Sequence, residues 1–237
     1  MARQLATTLT VRTVQLVLAS ASPGRLATLR RAGIEPQVII SGVDEDLQEP
    51  EPGRHALVLA ERKADAVLAR LGGSRVGGSE RVVLGCDSVL ELDGEIHGKP
   101  ADAAEAIARW RRMRGRRGVL HTGHCLVHVQ TGRRLAAVAA TTVVFADITD
   151  DEIAAYVGTG EPLRVAGGFT LDGLGGAFVE RVEGDPHNVV GLSLPLLRTM
   201  LAELGVSWPS MWATPLAQLA ARPSPEGTER PVAGLGG

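Results

Sequence analysis

Four short stretches bring together residue types suited to handling phosphate and water. The first is Leu18-Ala19-Ser20-Ala21-Ser22-Pro23-Gly24-Arg25. An apolar run gives way to small residues and then to a helix start. The first N–H groups of such a helix lack intrahelical partners and sit at the positive end of its dipole, so they favour an anion. Ser20 and Ser22 add hydroxyl donors, and Arg25 adds a fixed charge within the first turn. The segment is not a P-loop, because the GxxxxGK pattern ending in Ser or Thr is absent. Standing alone, it would be an ordinary capped helix with a surface arginine. In the second stretch, Gly85-Cys86-Asp87-Ser88, Asp87 follows a β-rich run. A carboxylate at the C-terminal end of a strand is a common metal ligand or general base in α/β enzymes. A plain turn aspartate fits the same pattern. The third, Asp93–Pro100, presents Lys99 on the return of a hairpin, and the fourth, Asp44-Glu45-Asp46, is either a further metal ligand or a solvated loop.

The cations narrow the choice. The chain holds 23 Arg and only two Lys, Lys63 and Lys99. GC-rich coding favours Arg wherever either cation serves, so a retained Lys marks a place that needs a compact ammonium instead of a planar fork. Chance is the competing account. His121, His124 and His128 suggest a metal site, but their spacing suits a helix and the region reads as strand, so we take them as structural. Six arginines crowd residues 109–117. They lie on and just beyond an amphipathic helix whose Trp110 is on the apolar face, which reads as a solvated surface and not a nucleic-acid patch.

The elements that must hold these residues follow from periodicity and caps. Residues 1–13 form a polar N-terminal extension. Val14–Ala19 is a strand, Ser22-Pro23 opens a helix closed by Gly33, and Val38–Ile40 is a second strand. His55–Leu71 is a helix, followed by a flexible link over 72–79. Val82–Leu84 and Val89–Leu92 read as two strands, the second turning at Asp93-Gly94. Asp102 and Glu105 start a helix that ends at Gly115, and Thr149 and Glu152 cap a shorter one. Strands over Cys125–Val129 and Val138–Phe145 flank a Thr131-Gly132 turn. Gly167–Glu183 reads as glycine-rich strand and turn, and Pro195–Leu204 as the last helix. Residues 209–237 are rich in Pro, Ala, Gly and Ser and are expected to be a disordered tail. Interleaved helices and strands give an α/β class, and the hairpins require a mixed sheet, in one domain over 14–208.

Composition removes several classes of function. A net charge of −2 gives no global field for gripping a nucleic-acid backbone. No apolar run reaches the roughly 20 residues that a membrane span needs. Ala19-Ser20-Ala21 imitates a signal-peptidase site, but the apolar run before it is short and interrupted by Gln15, so secretion is not expected. Cys86 and Cys125 have neither CxxC nor zinc-finger spacing and read as free buried thiols in a reducing, cytoplasmic compartment. Aromatics make up 3% of the chain, so its core is expected to consist mainly of Val, Leu, Ile and Ala.

Together the motifs resemble the Maf family, septum-formation inhibitor homologues understood as nucleoside triphosphate pyrophosphatases. The family's Leu-Ala-Ser-x-Ser-Pro-x-Arg is similar to Leu18–Arg25, and its Gly-x-Asp block to Gly85–Asp87. Its Asp-Gly-Glu-x-x-Gly-Lys-Pro block is similar to Asp93–Pro100, and its Glu-Pro-Leu-x-x-Ala-Gly to Glu161–Gly167. The closing Phe-Val-Glu-x-x-Glu-Gly-Asp-x-x-Asn-Val-Val-Gly-Leu is similar to Phe178–Leu192. The resemblance implies an elongated mixed sheet in two lobes with a central cleft, similar to inosine triphosphate pyrophosphatases. It implies that Asp87 is the proton acceptor and Lys63 and Lys99 the active-site lysines. Relatives selective for dTTP and UTP carry Arg, Thr and Gln at the positions of Gly24, Ser88 and Asp172, and those acting on 7-methyl-GTP carry Trp, Gln and Glu. This chain has neither set.

The reading is a metal-dependent pyrophosphatase that releases pyrophosphate from a nucleoside triphosphate. Mg²⁺ or Mn²⁺ is expected on Asp87 and Glu45, with Ser20, Ser22, Arg25, Ser88 and Asp172 on the substrate. The rival is a non-catalytic regulator of division that uses the cleft only to bind nucleotide or nucleic acid. No stable nucleic-acid or membrane partner is expected, and a homodimer stays open.

Overall fold

The computed structural model describes residues 14–72 and 80–213. The extension over 1–13, the link from 73 to 79 and the stretch 214–237 lie outside the described residues. In chain order the elements are β1 (Val14–Leu18), α1 (Pro23–Arg31), β2 (Gln37–Val38), α2 (Pro52–Leu71), β3 (Glu80–Leu92), β4 (Glu95–His97) and α3 (Ala103–Met113). Then come β5 (Arg117–His128), β6 (Arg134–Phe145), α4 (Asp150–Gly158), β7 (Val179–Glu183), α5 (Pro186–Val190) and α6 (Leu194–Glu203). The strands form one mixed sheet of seven, ordered β2-β1-β3-β5-β6-β7, with β4 paired to β3 off that path. β1 runs parallel to β2 and β3, and the remaining pairings are antiparallel.

Alternation along the strands divides the core. Val17, Val83, Cys125 and Val127 face Ala60, Ala64 and Val67 of α2. The intervening residues, Leu16, Leu18, Val82, Leu84 and Leu126, turn to the opposite face and pack with Leu29 of α1 and Leu197, Met200 and Leu201 of α6. Farther along β3, β5 and β6, Leu90, Leu92, Leu120, Val143 and Phe145 pack with α3 and α4 in a separate cluster. The long strands thus carry two lobes. The core differs from expectation in the second lobe, where Trp110 meets Phe145, Tyr156 and Phe178 edge-on at 5.5–5.9 Å between ring centroids. Few aromatics does not mean dispersed aromatics.

β3 is the main departure from the elements read along the chain. It is one strand of 13 residues instead of two short ones, so Asp87 lies mid-strand and not at a strand end. Gly85 imitates a break, yet its function is to admit α2: a Cβ there would collide with the Ala60 carbonyl oxygen and stand 2.9 Å from Ala64 N. Gly123 in β5 seats the same helix against Ala56 and Leu57. β5 and β6 are likewise longer than expected, because cross-strand pairing overrides the poor β-propensity of Ala136-Ala137 and Ala139-Ala140. Within Gly167–Glu183 only β7 is strand. Gly167 and Gly168, both at φ +75°, turn the chain instead.

The domain also extends past Trp208. Residues Trp208–Met211 make a 3₁₀ turn, Met211 is buried against β1 and α6, and Trp212 bridges to Ile34. At least residues 209–213 of the expected tail are therefore docked. Elsewhere, the capping box of Thr149 and Glu152 is complete, whereas Glu105 receives the N–H of Ala101 and not that of Asp102. Among the described residues no helix is long and apolar enough to cross a membrane.

Candidate active site

The site is a notch in the sheet. β1 pairs with β3 only up to Leu18 opposite Leu84, and β4 takes up the same edge of β3 from Leu90. Residues 85–89 of β3 are left without a neighbour on that side, beside the C-terminal end of β1 and the start of α1. A parallel strand ending next to an antiparallel one opens a crevice where ligands bind in α/β sheets. The resulting cleft has a volume of about 1000 Å³ and is lined by Ser20, Ser22, Arg25, Glu45, Lys63, Asp87, Ser88, Lys99 and Asp172. Every site residue expected from the sequence reaches this one cavity.

Lys63 on α2 is 6% exposed and lies between two carboxylates. Its Nζ donates to Asp87 Oδ1 at 2.5 Å and to Glu45 Oε1 at 2.6 Å. Glu45 Oε2 also accepts from Lys99 Nζ at 3.4 Å, and Lys99 is largely exposed. Burial alone would raise the Glu45 carboxyl, but the hydrogen bond and charge of Lys63, helped by Lys99, hold it below the usual carboxylate range. α2 stands close enough for this contact because Gly85, two residues before Asp87, has no side chain. The loop bearing Glu45 is fixed at its start by Arg70, whose guanidinium donates to the carbonyls of Ile40 and Ser41, each at 2.5 Å.

Arg25 is not a surface arginine. It is 8% exposed, and its Nε donates to Gly191 O at 2.7 Å. Its Nη1 donates to Ser20 Oγ and its Nη2 to Ser88 Oγ, each at 3.0 Å. Ser20 Oγ also accepts from Ser22 N at 3.1 Å, so its own hydroxyl proton is free to point at an anion. Ser88 is placed differently. Thr122 Oγ1 donates to Asn188 O at 3.4 Å, which leaves the Ser88 hydroxyl to donate to Thr122 at 2.9 Å. Ser22 caps α1, accepting from Arg25 N at 3.3 Å.

Asp172, also lining the cleft, stands on an exposed loop with Oδ2 3.9 Å from Arg31 Nη1 of α1. The absent side chain of Gly24 opens less room than expected, since a Cβ there would meet Val190 Cγ1 at 3.2 Å and Val190 O at 3.3 Å. Glu45 and Asp87 are the carboxylates that converge. Among the described residues no group of three or more His, Cys, Asp or Glu side chains does so. Asp87 and Glu45 are of the carboxylate type that a hard divalent cation takes together with water and substrate phosphates, but the Lys63 ammonium stands between them.

The structure also accounts for residues outside the cleft. His124 is fully buried, its Nδ1 3.0 Å from Thr122 O and its Nε2 accepting Ser193 N–H at 3.0 Å. His121 pairs with Glu91. All six arginines of 109–117 find acids: Arg109 with Glu105, Arg111 and Arg114 with Asp150, Arg112 with Glu95, Arg116 with Asp93 and Arg117 with Glu183. Arg109 is buried and not solvated, donating also to Gly98 O at 2.6 Å beside Lys99. Both cysteines are free and buried, and burial pushes Cys86 up to about 12 and Cys125 up to about 11. Sequence reasoning missed Thr122, Asn188 and Arg109 as site supports, because Thr122 and Asn188 act through partners distant in sequence and Arg109 through the backbone carbonyl of Gly98.

Comparison with known proteins agrees with this geometry. The family model described as Maf-like protein matches residues 15–204. A protein of Salinispora tropica named nucleoside triphosphate pyrophosphatase is 59% identical over 90% of this chain and 96% of its own length. A Streptomyces coelicolor protein of the same name is 56% identical over 84% of this chain and 95% of its own, and one from Saccharopolyspora erythraea is 50% identical over 86% and 100%. With a family match over most of its length and relatives 50–59% identical to it, the chain belongs to the Maf family.

Proposed function

We propose that this chain hydrolyses nucleoside triphosphates to the monophosphate and pyrophosphate by directing water onto the α-phosphorus. The observation that carries the reading is the Asp87–Lys63–Glu45 chain at the floor of the cleft, with Nζ within 2.6 Å of both carboxylates. Asp87 orients the water and takes its proton, while Lys63 fixes the carboxylate through Oδ1. Ser20 donates its spare hydroxyl proton to a phosphate oxygen. Lys99, exposed and only loosely held by Glu45, turns onto the polyphosphate and neutralises the charge that builds up on the leaving pyrophosphate. Arg25 acts mostly by aligning Ser20 and Ser88 and adds its charge to the cleft. Asp87 and Glu45 would hold Mg²⁺ or Mn²⁺, which when bound supplies Lewis-acid neutralisation of phosphoryl oxygens.

For the base, Asp172 offers acceptors to a ring edge rich in N–H donors, which favours a guanine-type or modified purine over uracil and thymine. Relaxed selectivity is the alternative, and Val190 beside Gly24 limits how open the pocket is. The two unpaired thiols support a reducing cytoplasm as the compartment, and the neutralised arginines of 109–117 speak against a stable nucleic-acid partner.

The test is a pyrophosphate-release screen over common and modified nucleotides with Mg²⁺, Mn²⁺, Co²⁺ or chelator, run in heavy-oxygen water. Equal monophosphate and pyrophosphate, with the label in the monophosphate, is expected. Release of orthophosphate, or no turnover with any metal, would exclude this reaction. A preference for UTP or dTTP would exclude the purine assignment alone.

A further inference from the structure

Glu161 lies on the wall of the same cleft, and among carboxylates in a phosphate-binding cavity it invites a role as a further metal ligand or base. Its hydrogen bonds point elsewhere. Oε1 accepts from Tyr156 Oη at 2.9 Å, from Thr170 Oγ1 at 2.5 Å and from Gly175 N at 3.1 Å. Oε2 accepts from Leu174 N at 3.1 Å. Three of these four donors belong to one loop, residues 170–175, and the fourth, Tyr156, accepts Thr170 N at 3.2 Å and so grips the same loop again.

The backbone is wound closely around this carboxylate. A Cβ on Gly173 would stand 2.6 Å from Glu161 Oε2, and one on Gly175 would stand 2.8 Å from Thr170 O and collide with Tyr156 Oη. These glycines leave space for the hydrogen bonds instead of for side chains. Although burial works against it, the Thr170, Leu174, Gly175 and Tyr156 donors keep the Glu161 carboxyl below the usual range, so it is ionised and its bonds are charge-assisted. What hangs from the mooring is functional surface. Positions 169–174 line the cleft consecutively, with Asp172 among them, yet Asp172, Gly173 and Leu174 are exposed and have little packing of their own. Phe169 and Leu171 pack into the second-lobe cluster, so it is the exposed tip, residues 172–174, that depends on the polar anchor.

We propose that Glu161 is the positioning residue for the nucleobase end of the cleft: it moors loop 169–175, and thereby sets nucleotide affinity and base discrimination without taking part in the chemical step. This rests on the pyrophosphatase reading, in which Asp172 meets the base. It also gives a role to the Glu161–Gly167 motif. Its first residue holds the base loop, while its last, Gly167, donates its N–H to Gly98 O at 3.0 Å next to Lys99. One short segment then ties both ends of the substrate to the second lobe.

The experiment compares the full-length wild type with Glu161→Gln, Tyr156→Phe and Asp87→Asn. In Glu161→Gln an NH₂ group must face at least one N–H donor, so KM should rise roughly tenfold or more, the scale of lost charge-assisted bonds. Its kcat should stay within about threefold, and the ratio of kcat/KM between GTP and UTP should move towards unity. Tyr156→Phe, which removes one donor and keeps the carboxylate, should shift KM the same way by a few-fold. Asp87→Asn should show the opposite split, losing kcat and keeping KM. Hydrogen exchange by mass spectrometry provides a readout independent of turnover: peptides covering 170–176 should exchange roughly tenfold faster in Glu161→Gln, with β3 and β5 unchanged. A loss of kcat with unchanged KM would make Glu161 part of the chemistry and overturn the proposal, as would unaltered exchange in the loop. A wild type that turns over no nucleotide would remove the enzymatic reading, and the exchange result would still decide the mooring.

Discussion

Lys63 and Lys99 were marked by the same compositional oddity, yet the structure gives them unequal surroundings. Lys63 Nζ sits between Asp87 and Glu45 at 6% exposure, where only a compact donor fits. Lys63→Arg would force a planar fork into that space, so it should lower kcat by roughly tenfold or more and also reduce thermal stability. Lys99, with a largely exposed side chain, has room for the larger head. Lys99→Arg should therefore melt like the wild type and show its defect only in turnover, as a lowered kcat and kcat/KM. Equal behaviour of the two variants in paired melting and kinetic measurements would contradict the geometry. Asp87→Asn keeps the shape and Lys63's contact but loses the base. Its kcat should fall by roughly 10²-fold or more, the usual scale for a positioned proton acceptor, with nucleotide binding retained in calorimetry.

Elements in this protein are coupled through single buried groups, and His124 is the clearest case. It joins β5 to the N-cap of α6 by accepting Ser193 N–H on Nε2, a bond that only the neutral ring can make. Burial depresses its pKa from 6.5 to about 4. Because the folded value lies below the unfolded one, the histidine contributes fully above about pH 6.5, and stability is lost as pH falls towards 4. A shift of that size corresponds to about 3 kcal/mol. Urea midpoints across this range should fall in the wild type and fall less in His124→Gln. The seat of α2 makes a second test at this scale. Gly85→Ala places a methyl against the Ala60 carbonyl and should cost about 2 kcal/mol or more, with lowered activity because Asp87 and Lys63 move apart.

At the scale of the whole molecule, the two lobes share three long strands and are closed at one end by the segment after Trp208. Met211 is 6% exposed within the first-lobe cluster, and Ala213 N donates to Gly33 O at 2.8 Å. Truncation after Trp208 should therefore lower the unfolding free energy by about 2 kcal/mol or more, the usual effect of removing a buried methionine. Truncation after Ala213 removes none of these contacts. Melting curves of the two truncations decide between a docked segment and a dispensable one.

Much of the site was legible without coordinates because chemistry is carried by residue type. Two lysines in an arginine-rich chain, an aspartate behind a β-rich run and a small-residue turn before a helix were candidates by local rules, and only the ordered motif resemblance joined them into one site. So were the caps at Ser22 and Thr149 and the α/β class. Tertiary structure decided the rest, because pairing and packing act between residues far apart in sequence. Nothing near Gly85 says that it is there to admit Ala60 of α2, so a continuous strand looked like two. Nothing near Arg25 says that Gly191 and Ser88 will absorb its donors, or near Arg109 that it will be buried beside Lys99. The notch that makes the cleft exists only because β1 stops opposite Leu84 and β4 resumes at Leu90, a register set by chain segments that meet only after folding.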